Sequence, residues 1–264
     1  MAIDDVTALP LSQLMSLKGR RAVVTGGGGG IGLAAVRRLA EAGASVLIGD
    51  LNADAVKREA EKIAKELGAT VIGQSLDVTS EQSIIAFADA AVSQLGGLDI
   101  WVNNAGIFPH SSITDMTVES WERVQNVNLR GTFLGAREAV ARMRKGSTKK
   151  GVIINVASTA GHRGRHHLAH YSASKHGVIG LTRSLALELG QDGIRILAIA
   201  PGITSTPGLE QRGLSDDTKR RAATTPLGRV GVPDDVARVI LFCALDMSSL
   251  MTGTTLFVDS GSTA

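Results

Sequence analysis

Cysteine and aromatic residues are scarce in this sequence. Its 264 residues include one cysteine, Cys243, and one tyrosine. A single cysteine excludes an intrachain disulfide and a zinc site built from several cysteines, and it fits a reducing cytoplasm. Cys243 lies in the apolar run VARVILFCAL, so we expect a small buried side chain there rather than a reactive thiol.

Long apolar runs are lacking as well. No run approaches the roughly 18 apolar residues that a membrane span needs. The N-terminus carries Asp4 and Asp5 before its first basic residue and has no clean apolar block, which does not fit a secretory signal. We therefore expect a cytoplasmic protein without a membrane partner, with residues 1–17 as a partly ordered N-terminal extension.

Charge of one sign does not dominate. Lys and Arg number 28, Asp and Glu number 25, and the net charge is +3. Because acids and bases are interspersed, the sequence does not predict nucleic-acid binding. Hydrophobic residues make up 44% of the chain, which is ample for the core of one large domain. We assign residues 18–264 to that single domain.

What the sequence does contain is a regular alternation of apolar runs and amphipathic stretches. Near-continuous apolar strands between helices predict an α/β doubly wound fold, a parallel sheet covered by helices on both faces. The charged amphipathic stretch ADAVKREAEKIAKELG predicts a helix that ends at Gly68. The stretch 117–146 has the pattern of one long helix, and the irregular segment 203–225 is interpreted as a substrate lid. The seven predicted strands are RAVVT, ASVLIGD, ATVIGQSLD, LDIWVNNAG, VIINVAS, IRILAIA and TTLFVD.

A glycine-rich turn follows the first predicted strand and opens the first helix. Glycine lets a backbone approach phosphates closely, and the free N–H groups of a helix N-terminus bind negative charge. Asp50 ends the second strand, near the spacing of about 20 residues expected for the acid that binds the adenosine ribose. A carboxylate there would repel a 2′-phosphate, and Thr25–Gly32 holds no Lys or Arg, so we predict NAD rather than NADP. The alternative is that Asp50 only caps the turn before the next helix.

Tyr171 and Lys175 stand four residues apart in a predicted helix. Residues at this spacing share a helix face, so the ammonium can lie beside the phenol and lower its pKa from about 10. Tyr171 would then serve as a general acid or base. Ser158, at the end of a predicted strand, could direct its hydroxyl to the same point. Tyr and Lys often occur at this spacing by chance, so the pair indicates a catalytic site only together with other motifs.

That context is a set of motifs in a fixed order: Thr25-Gly26-x-x-x-Gly30-Ile31-Gly32, Asn103-Asn104-Ala105-Gly106, Asn128 in NVNLRG, Ser158, Tyr171-x-x-x-Lys175 and Pro201-Gly202. Together they resemble the short-chain dehydrogenase/reductase family in its single-domain form, from about Lys18 to Gly261. The resemblance implies a Rossmann-type fold with a seven-stranded parallel sheet and nicotinamide-dependent hydride transfer at a carbon–oxygen bond. One position departs from the family pattern, because Ser260 stands in VDSGS where glycine is usual.

The resemblance also implies a role for each matching residue. Tyr171 resembles the general acid/base, and Lys175 resembles the residue that lowers its pKa and holds the nicotinamide ribose. Ser158 resembles the hydrogen-bond donor to the substrate oxygen, and Asn128 the helix residue that holds a water linking Lys175 to solvent. The residues that resemble the cofactor contacts are Thr25, Gly26, Gly30, Ile31, Gly32, Asp50, Leu51, Asp77, Val78, Asn104, Ala105, Gly106, Tyr171, Lys175, Pro201, Gly202, Ile203 and Thr206.

An NAD-dependent oxidoreductase that interconverts a secondary alcohol and a ketone is therefore implied, and we expect oxidation as its working direction. One alternative is a 3-oxoacyl-thioester reductase, although Asp50 counts against the NADPH that such enzymes usually use. Another is a non-catalytic sensor or scaffold that binds a dinucleotide, against which the complete catalytic set argues. The family resemblance implies a homotetramer packed through 121–144 and 172–189, and a dimer remains open.

Histidine and arginine concentrate in Ser158–Lys175, a segment without acidic residues. In the family this segment borders the substrate pocket. Arg163, Arg165 and His166, with the basic residues Lys219–Arg221 of the lid, therefore suggest an anionic or strongly polar substrate. The alternative is that these side chains are solvated or lie at a subunit contact.

Two histidines of that segment, His166 and His170, stand at helical spacing. No carboxylate or thiol accompanies them in the sequence to complete a metal site. We therefore predict no metal ligands in this chain.

Overall fold

One sheet of seven parallel strands forms the centre of the computed structural model. In chain order the strands are β1 (Arg21–Thr25), β2 (Ser45–Asp50), β3 (Val71–Ser75), β4 (Ile100–Asn103), β5 (Gly151–Val156), β6 (Ile194–Pro201) and β7 (Thr255–Val258). The structure describes residues 5–146, 150–210, 220 and 223–264. The order across the sheet is β3-β2-β1-β4-β5-β6-β7, which confirms the predicted doubly wound fold and opens a crevice at the carboxyl ends of β1 and β4.

Helices cover both faces of this sheet. They are α1 (Leu11–Leu14), α2 (Gly30–Glu41), α3 (Ala53–Leu67), α4 (Glu81–Leu95), α5 (Val118–Gln125), α6 (Gly131–Met143), α7 (Ala169–Leu189), α8 (Pro207–Glu210) and α9 (Pro233–Ala244). Successive strand side chains point to opposite faces. Val24 therefore packs in a core with α2, α3 and α9, and Val23 packs in a second core with α4, α6 and α7. None of the helices in the described ranges combines the length and apolarity that crossing a membrane requires.

Local sequence signals set several helix ends. At the start of α3, Asn52 Oδ1 accepts a hydrogen bond from the Ala55 N–H at 3.0 Å. The same helix ends at Gly68, whose φ of 62° lies in the left-handed region that favours glycine. Both signals are visible in the sequence, as the prediction that Gly68 ends this helix illustrates.

The predicted long helix over 117–146 is divided in three. Between α5 and α6, residues Asn126–Arg130 form a wider π-helical turn. Asn128 in this turn is fully buried and bonds outside its own helix, and a Cβ on Gly131 would lie 3.1 Å from Val78. The backbone is helical at both ends of this turn, at Gln125–Asn126 and at Arg130–Gly131, so the apolar periodicity gave no sign of the division.

Parts of the predicted N-terminal extension and of the predicted lid are described in the structure. Leu17 is buried in the core and its N–H donates to the Ala42 carbonyl at 2.7 Å, so domain packing begins before residue 18. In the lid, α8 is described, whereas residues 211–219 and 221–222, among them Lys219 and Arg221, lie outside the described residues.

The sequence departure at Ser260 has a structural counterpart. Ser260 adopts a φ of 58°, in the left-handed region where glycine is usual. Its Oγ donates to the Arg229 carbonyl at 3.1 Å, and its own carbonyl accepts from the Leu227 N–H at 3.2 Å. These two bonds hold the serine in a conformation that glycine adopts without strain.

Candidate active site

A cavity of about 840 Å³ opens at the carboxyl ends of the strands. Strands on both sides of the crevice contribute to it, which is where an α/β sheet of this order binds its ligand. The structure brings most of the predicted residues together there. Those that line the cavity are Gly26, Gly30, Ile31, Asp50, Leu51, Asp77, Val78, Asn104, Ala105, Gly106, Ser158, Arg165, Tyr171, Lys175, Pro201, Gly202, Ile203 and Thr206.

The glycine-rich turn between β1 and α2 has the shape that a pyrophosphate needs. Gly26 has a φ of +64°, and a Cβ there would lie 2.8 Å from the Ala105 Cα. A Cβ on Gly32 would lie 2.2 Å from the Gly26 carbonyl oxygen. Side chains at these positions would push the turn away from the loop after β4. Gly29, Gly30 and Ile31, at the start of α2, line the cavity, and a helix N-terminus there favours a phosphate group. The residues present therefore fit a dinucleotide.

Thr25 and Gly32, predicted cofactor contacts, lie behind the cavity rather than on its wall. The Thr25 Oγ1 accepts hydrogen bonds from the N–H groups of Asn104 at 3.1 Å and Ala105 at 3.2 Å. The Asn104 Nδ2 in turn donates to the Gly26 carbonyl at 2.8 Å. These bonds join the loop after β4 to the glycine turn, so Thr25 and Gly32 position the wall without forming it.

Two carboxylates mark the end of the cavity at β2 and β3. Asp50 is half-buried, and its Oδ2 accepts from the Gly28 N–H at 3.1 Å. Asp77 Oδ1 accepts from the N–H of Thr79 at 2.8 Å and from its Oγ1 at 2.7 Å. Both carboxylates keep lone pairs for further donors, as the hydroxyl groups of an adenosine ribose would require.

Ser158, Tyr171 and Lys175 meet at the other end of the cavity. Ser158 follows β5, and the other two lie on α7 one turn apart. The Lys175 ammonium is nearly fully buried, donates to the Val156 carbonyl at 2.7 Å, and lies 5.7 Å from the centre of the Tyr171 ring. The spacing in the sequence thus brings the phenol and the ammonium to one place, as predicted.

The electrostatics of the tyrosine differ from the sequence prediction. Burial raises the pKa of Tyr171, while a hydrogen bond with Ser158 and the charge of Arg165 act in the opposite direction. Burial also lowers the pKa of Lys175 to about 8. The predicted lowering of the Tyr171 pKa by Lys175 is therefore corrected, because removing the phenolate from water outweighs the charges around it.

Asn128 is buried behind the catalytic residues and does not line the cavity. Its Oδ1 accepts from the Ile107 N–H at 2.8 Å, and its Nδ2 donates to the Ile107 carbonyl at 2.9 Å and to Ser174 Oγ at 3.1 Å. The side chain thereby ties the loop after β4 to α7. Its predicted role in holding a water next to Lys175 stays a prediction.

The structure separates the three predicted substrate residues. Arg165 lines the cavity, and its guanidinium donates to Thr159 Oγ1 at 2.8 Å. Arg163 and His166 are exposed and lie outside the cavity wall. The reason is a tight surface turn in which His167 has a φ of 57° and its ring packs on that of His166. The predicted contact of Arg163 and His166 with substrate therefore stays a prediction, and of the three residues only Arg165 lies on the cavity wall.

Several lining residues were missed by sequence reasoning. Phe108 lies with its ring centre 5.9 Å from that of Tyr171, and His110, Arg123 and Leu168 also face the cavity. Phe108 and His110 follow the NNAG motif closely, a position that could have identified them. Arg123 carries no sequence signal, because it reaches the cavity only through the packing of α5 against α7.

Metal-ligating side chains do not cluster in the described part of the chain. Within residues 5–146, 150–210, 220 and 223–264, no three His, Cys, Asp or Glu side chains are grouped as a metal site would require.

The strand order, the glycine-rich turn and the Ser158, Tyr171 and Lys175 group together define an oxidoreductase of the Rossmann type. A protein-family model described as "Enoyl-(Acyl carrier protein) reductase" matches residues 26–263. The chain belongs to the short-chain dehydrogenase/reductase family.

Two characterised relatives cover nearly the whole chain. 3β-Hydroxysteroid dehydrogenase 1 of Eggerthella lenta is 42% identical over 94% of this chain and 95% of its own length. Cis-4-hydroxycyclohexanecarboxylate dehydrogenase of Sinomonas cyclohexanicum is 41% identical over 93% of this chain and 97% of its own length.

Two solved structures share the fold closely. A short-chain type dehydrogenase/reductase from Mycobacterium marinum has a TM-score of 0.89 and 34% identity, over 96% of this chain and 98% of the other. A 7α-hydroxysteroid dehydrogenase complexed with NADH and 7-oxo glycochenodeoxycholic acid has a TM-score of 0.91 and 34% identity, with the same coverage of 96% and 98%. This protein is thus a short-chain oxidoreductase that acts on CH–OH groups with NAD or NADP.

Proposed function

We propose that this protein interconverts a secondary alcohol and a ketone with NAD, using Tyr171 as the general acid/base. The observation that carries the proposal is the meeting of Ser158, Tyr171 and Lys175 in the same cavity as the glycine-rich turn. We expect alcohol oxidation as the working direction, and a cytoplasmic location.

The chain's own residues supply the proton chemistry. A bound nicotinamide would exchange a hydride with the carbinol carbon. During alcohol oxidation Tyr171, as phenolate, takes the hydroxyl proton, and during ketone reduction its hydroxyl returns one. Ser158 donates a hydrogen bond to the same substrate oxygen. Burial raises the pKa of Tyr171, and we expect the Lys175 ammonium, 5.7 Å from the ring centre, to offset part of that rise.

The preference for NAD rests on the end of β2. Asp50 presents a carboxylate beside the glycine turn, where a 2′-phosphate would be repelled and ribose hydroxyls would be bound. Among related structures, the 7α-hydroxysteroid dehydrogenase is complexed with NADH, which supports the same choice. Asp50 also counts against the alternative of an NADPH-dependent 3-oxoacyl-thioester reductase.

A ring-bearing alcohol suits the substrate end of the cavity. Phe108 and Leu168 give apolar surface next to Tyr171. The two relatives above are named for a hydroxysteroid and a hydroxycyclohexanecarboxylate, both secondary alcohols on rings. We therefore propose a cyclic secondary alcohol as the substrate class.

We further infer a homotetramer assembled through the helices 121–144 and 172–189. Exposed apolar side chains on these helices support this, since Trp121 is 40%, Phe133 44% and Leu187 88% exposed. Light scattering that gave the mass of a single chain would contradict the inference.

The direct test is the absorbance of reduced nicotinamide with a panel of cyclic secondary alcohols, using NAD and NADP separately. We expect turnover with NAD, and a loss of about 10²- to 10⁴-fold in Tyr171→Phe with dinucleotide binding retained. Equal turnover in Tyr171→Phe would remove that residue from the mechanism. More efficient turnover with NADP would contradict the cofactor assignment.

A further inference from the structure

We propose that Asp235, a carboxylate outside the cavity wall, is a positioning residue for the nicotinamide half of the dinucleotide. It acts through two backbone segments, the loop after β6 (residues 203–206) and the segment 229–232. This role rests on the proposed function, which supplies the dinucleotide. The observation that carries it is a set of hydrogen bonds that runs from Asp235 through both segments to the cavity.

The loop after β6 forms one wall of the cavity. Ile203, Thr204 and Thr206 line it. A Cβ on Gly30 would lie 3.4 Å from the Thr206 Cβ, so this loop also adjoins the glycine-rich turn. We expect the adenosine at the end of β2 and the nicotinamide beside Tyr171. The loop therefore borders the second half of the dinucleotide, beyond the turn, rather than the adenosine.

The backbone of the segment 229–232 holds this loop. Thr204 and Gly231 form a parallel β-bridge. The Gly231 N–H donates to the Ile203 carbonyl at 2.9 Å, and the Ser205 N–H donates to the Gly231 carbonyl at 2.8 Å. A Cβ on Gly231 would lie 3.3 Å from the Ile203 carbonyl oxygen, so the two backbones pack closely. The position of the cavity wall therefore depends on where Gly231 is held.

Asp235, in the first turn of α9, holds the segment 229–232. Its Oδ2 accepts from the Val232 N–H at 2.9 Å, and the Arg229 guanidinium donates to both carboxylate oxygens, at 2.6 and 2.7 Å. A second guanidinium, that of Arg238, donates to Oδ1 at 2.6 Å. Bidentate, charge-assisted bonds of this kind fix geometry as well as contribute energy. Because Arg229 and Val232 lie on either side of Gly231, Asp235 determines where the loop after β6 lies.

Burial distinguishes Asp235 from its neighbour Asp234. The Asp235 side chain is 13% exposed, and hydrogen bonds from Arg229 hold its pKa well below the usual range, so the carboxylate stays charged at neutral pH. The Asp234 side chain is 39% exposed and pairs with Arg38 of α2 at 2.6 Å and with Arg238 at 3.2 Å. Within the described part of the chain, the Asp234 side chain makes no bond to the segment 229–232. Asp234 is therefore the matched control.

The test measures the binding of NADH and of AMP by titration calorimetry, without any alcohol present. AMP lacks the nicotinamide half, so we expect it to stop short of the loop after β6. Asp235→Asn should raise the Kd for NADH about 10-fold, because NADH must then order the loop as it binds, and should change the Kd for AMP by less than about 2-fold. Asp234→Asn, which also loses ion pairs with arginine, should change both Kd values by less than about 2-fold.

Arg229→Gln gives a second measurement that does not depend on the folding of Asp235→Asn. Arg229 is 54% exposed, and its loss leaves the bond from Val232 to Asp235 in place. We expect the Kd for NADH to rise about 3- to 10-fold in this variant and the Kd for AMP to stay within about 2-fold. An unchanged NADH affinity in the two variants, an equal loss for AMP, or an equal loss in Asp234→Asn would overturn the role of Asp235.

These binding measurements also separate the role of Asp235 from the proposed function. A selective loss of NADH affinity supports the role even if none of the alcohols is oxidised. Normal NADH binding by the Asp235 and Arg229 variants overturns the role even if the alcohols are oxidised. Failure of the unaltered protein to bind NADH would overturn both.

Discussion

A buried ammonium lies at the centre of the candidate active site. Lys175 is 4% exposed, and within the described part of the chain its Nζ donates to the Val156 carbonyl. Removing a charge from water without an opposite charge is unfavourable, and the lowered pKa of Lys175 has this cause. The lysine is placed where the proposed chemistry needs it, at a cost in folding free energy.

The pH dependence of stability should reveal that cost. The pKa of Lys175 is about 8 in the folded chain against an ordinary value of 10.5. Below pH 8 both states are protonated and the folded state carries the full penalty. Above it the folded state releases the proton first, so the free energy of unfolding rises with pH.

Relative to Lys175→Met, we expect the protein without cofactor to gain about 2 kcal/mol of unfolding free energy between pH 7 and pH 9.5. Cys243, whose thiol pKa is raised by burial, contributes with the opposite sign near pH 9 but equally in both proteins. Urea unfolding at several pH values measures this difference. If the free energy of unfolding changed with pH in the same way in both proteins, the burial of the Lys175 ammonium would be contradicted. The range stops below pH 10 because Tyr171, whose pKa is raised, contributes with the opposite sign at higher pH.

At the scale of single residues, the sequence predicted which residues form the candidate site better than it predicted how buried they are. Tyr171, Lys175 and Ser158 are found together because helical spacing and strand ends are local properties. The direction of the Tyr171 pKa shift was missed, since burial depends on residues far apart in the chain. Arg163 and Arg165 looked equivalent for the same reason, although only Arg165 reaches the cavity.

The turn from β1 into α2 depends on glycine at specific positions. Gly32 is buried, and a Cβ there would lie 2.2 Å from the Gly26 carbonyl oxygen and 2.5 Å from Asn104 Nδ2. Gly29 has an extended backbone, with φ at −171°, and no atom within 4 Å of a built Cβ. There is therefore space for a side chain at Gly29 but not at Gly32.

Gly32→Ala should destabilise the fold by about 2–5 kcal/mol and weaken dinucleotide binding, because the backbone must move away from Asn104. Gly29→Ala should change the free energy of unfolding by less than about 1 kcal/mol. Denaturant unfolding and dinucleotide titration measure both effects. If the two changes lowered the free energy of unfolding equally, the backbone would accommodate a side chain at Gly32 as easily as at Gly29, and the prediction would be wrong.

Strands and helix ends that have a signal in the local sequence were predicted, whereas the turn that depends on contacts with distant residues was not. Apolar runs located the seven strands, and Gly68 located the end of α3. The π-helical turn Asn126–Arg130 was not predicted, because its cause is the set of bonds from Asn128 to Ile107 and Ser174. Those partners lie in other parts of the chain.

At the scale of the whole molecule, the rate at which the single cysteine is labelled should measure global unfolding. Cys243 lies on the buried face of α9 with no exposed surface, and burial raises the pKa of its thiol to about 12. Ellman's reagent at pH 8 should therefore modify the folded protein only as fast as it unfolds, and should label one thiol per chain in denaturant. Rapid labelling in buffer would contradict the packing of α9 on the sheet.

The order of the strands also divides the cavity along the chain. The turn after β1, and the ends of β2 and β3, come from residues before 80, whereas Ser158, Arg165, Tyr171 and the loop after β4 come from residues after 100. We therefore expect coenzyme choice and substrate choice to be encoded in separate, consecutive stretches that meet at one crevice. Exchanging residues 45–79 with those of an NADP-dependent relative should change the coenzyme while leaving the range of alcohols intact, so each property can evolve without the other.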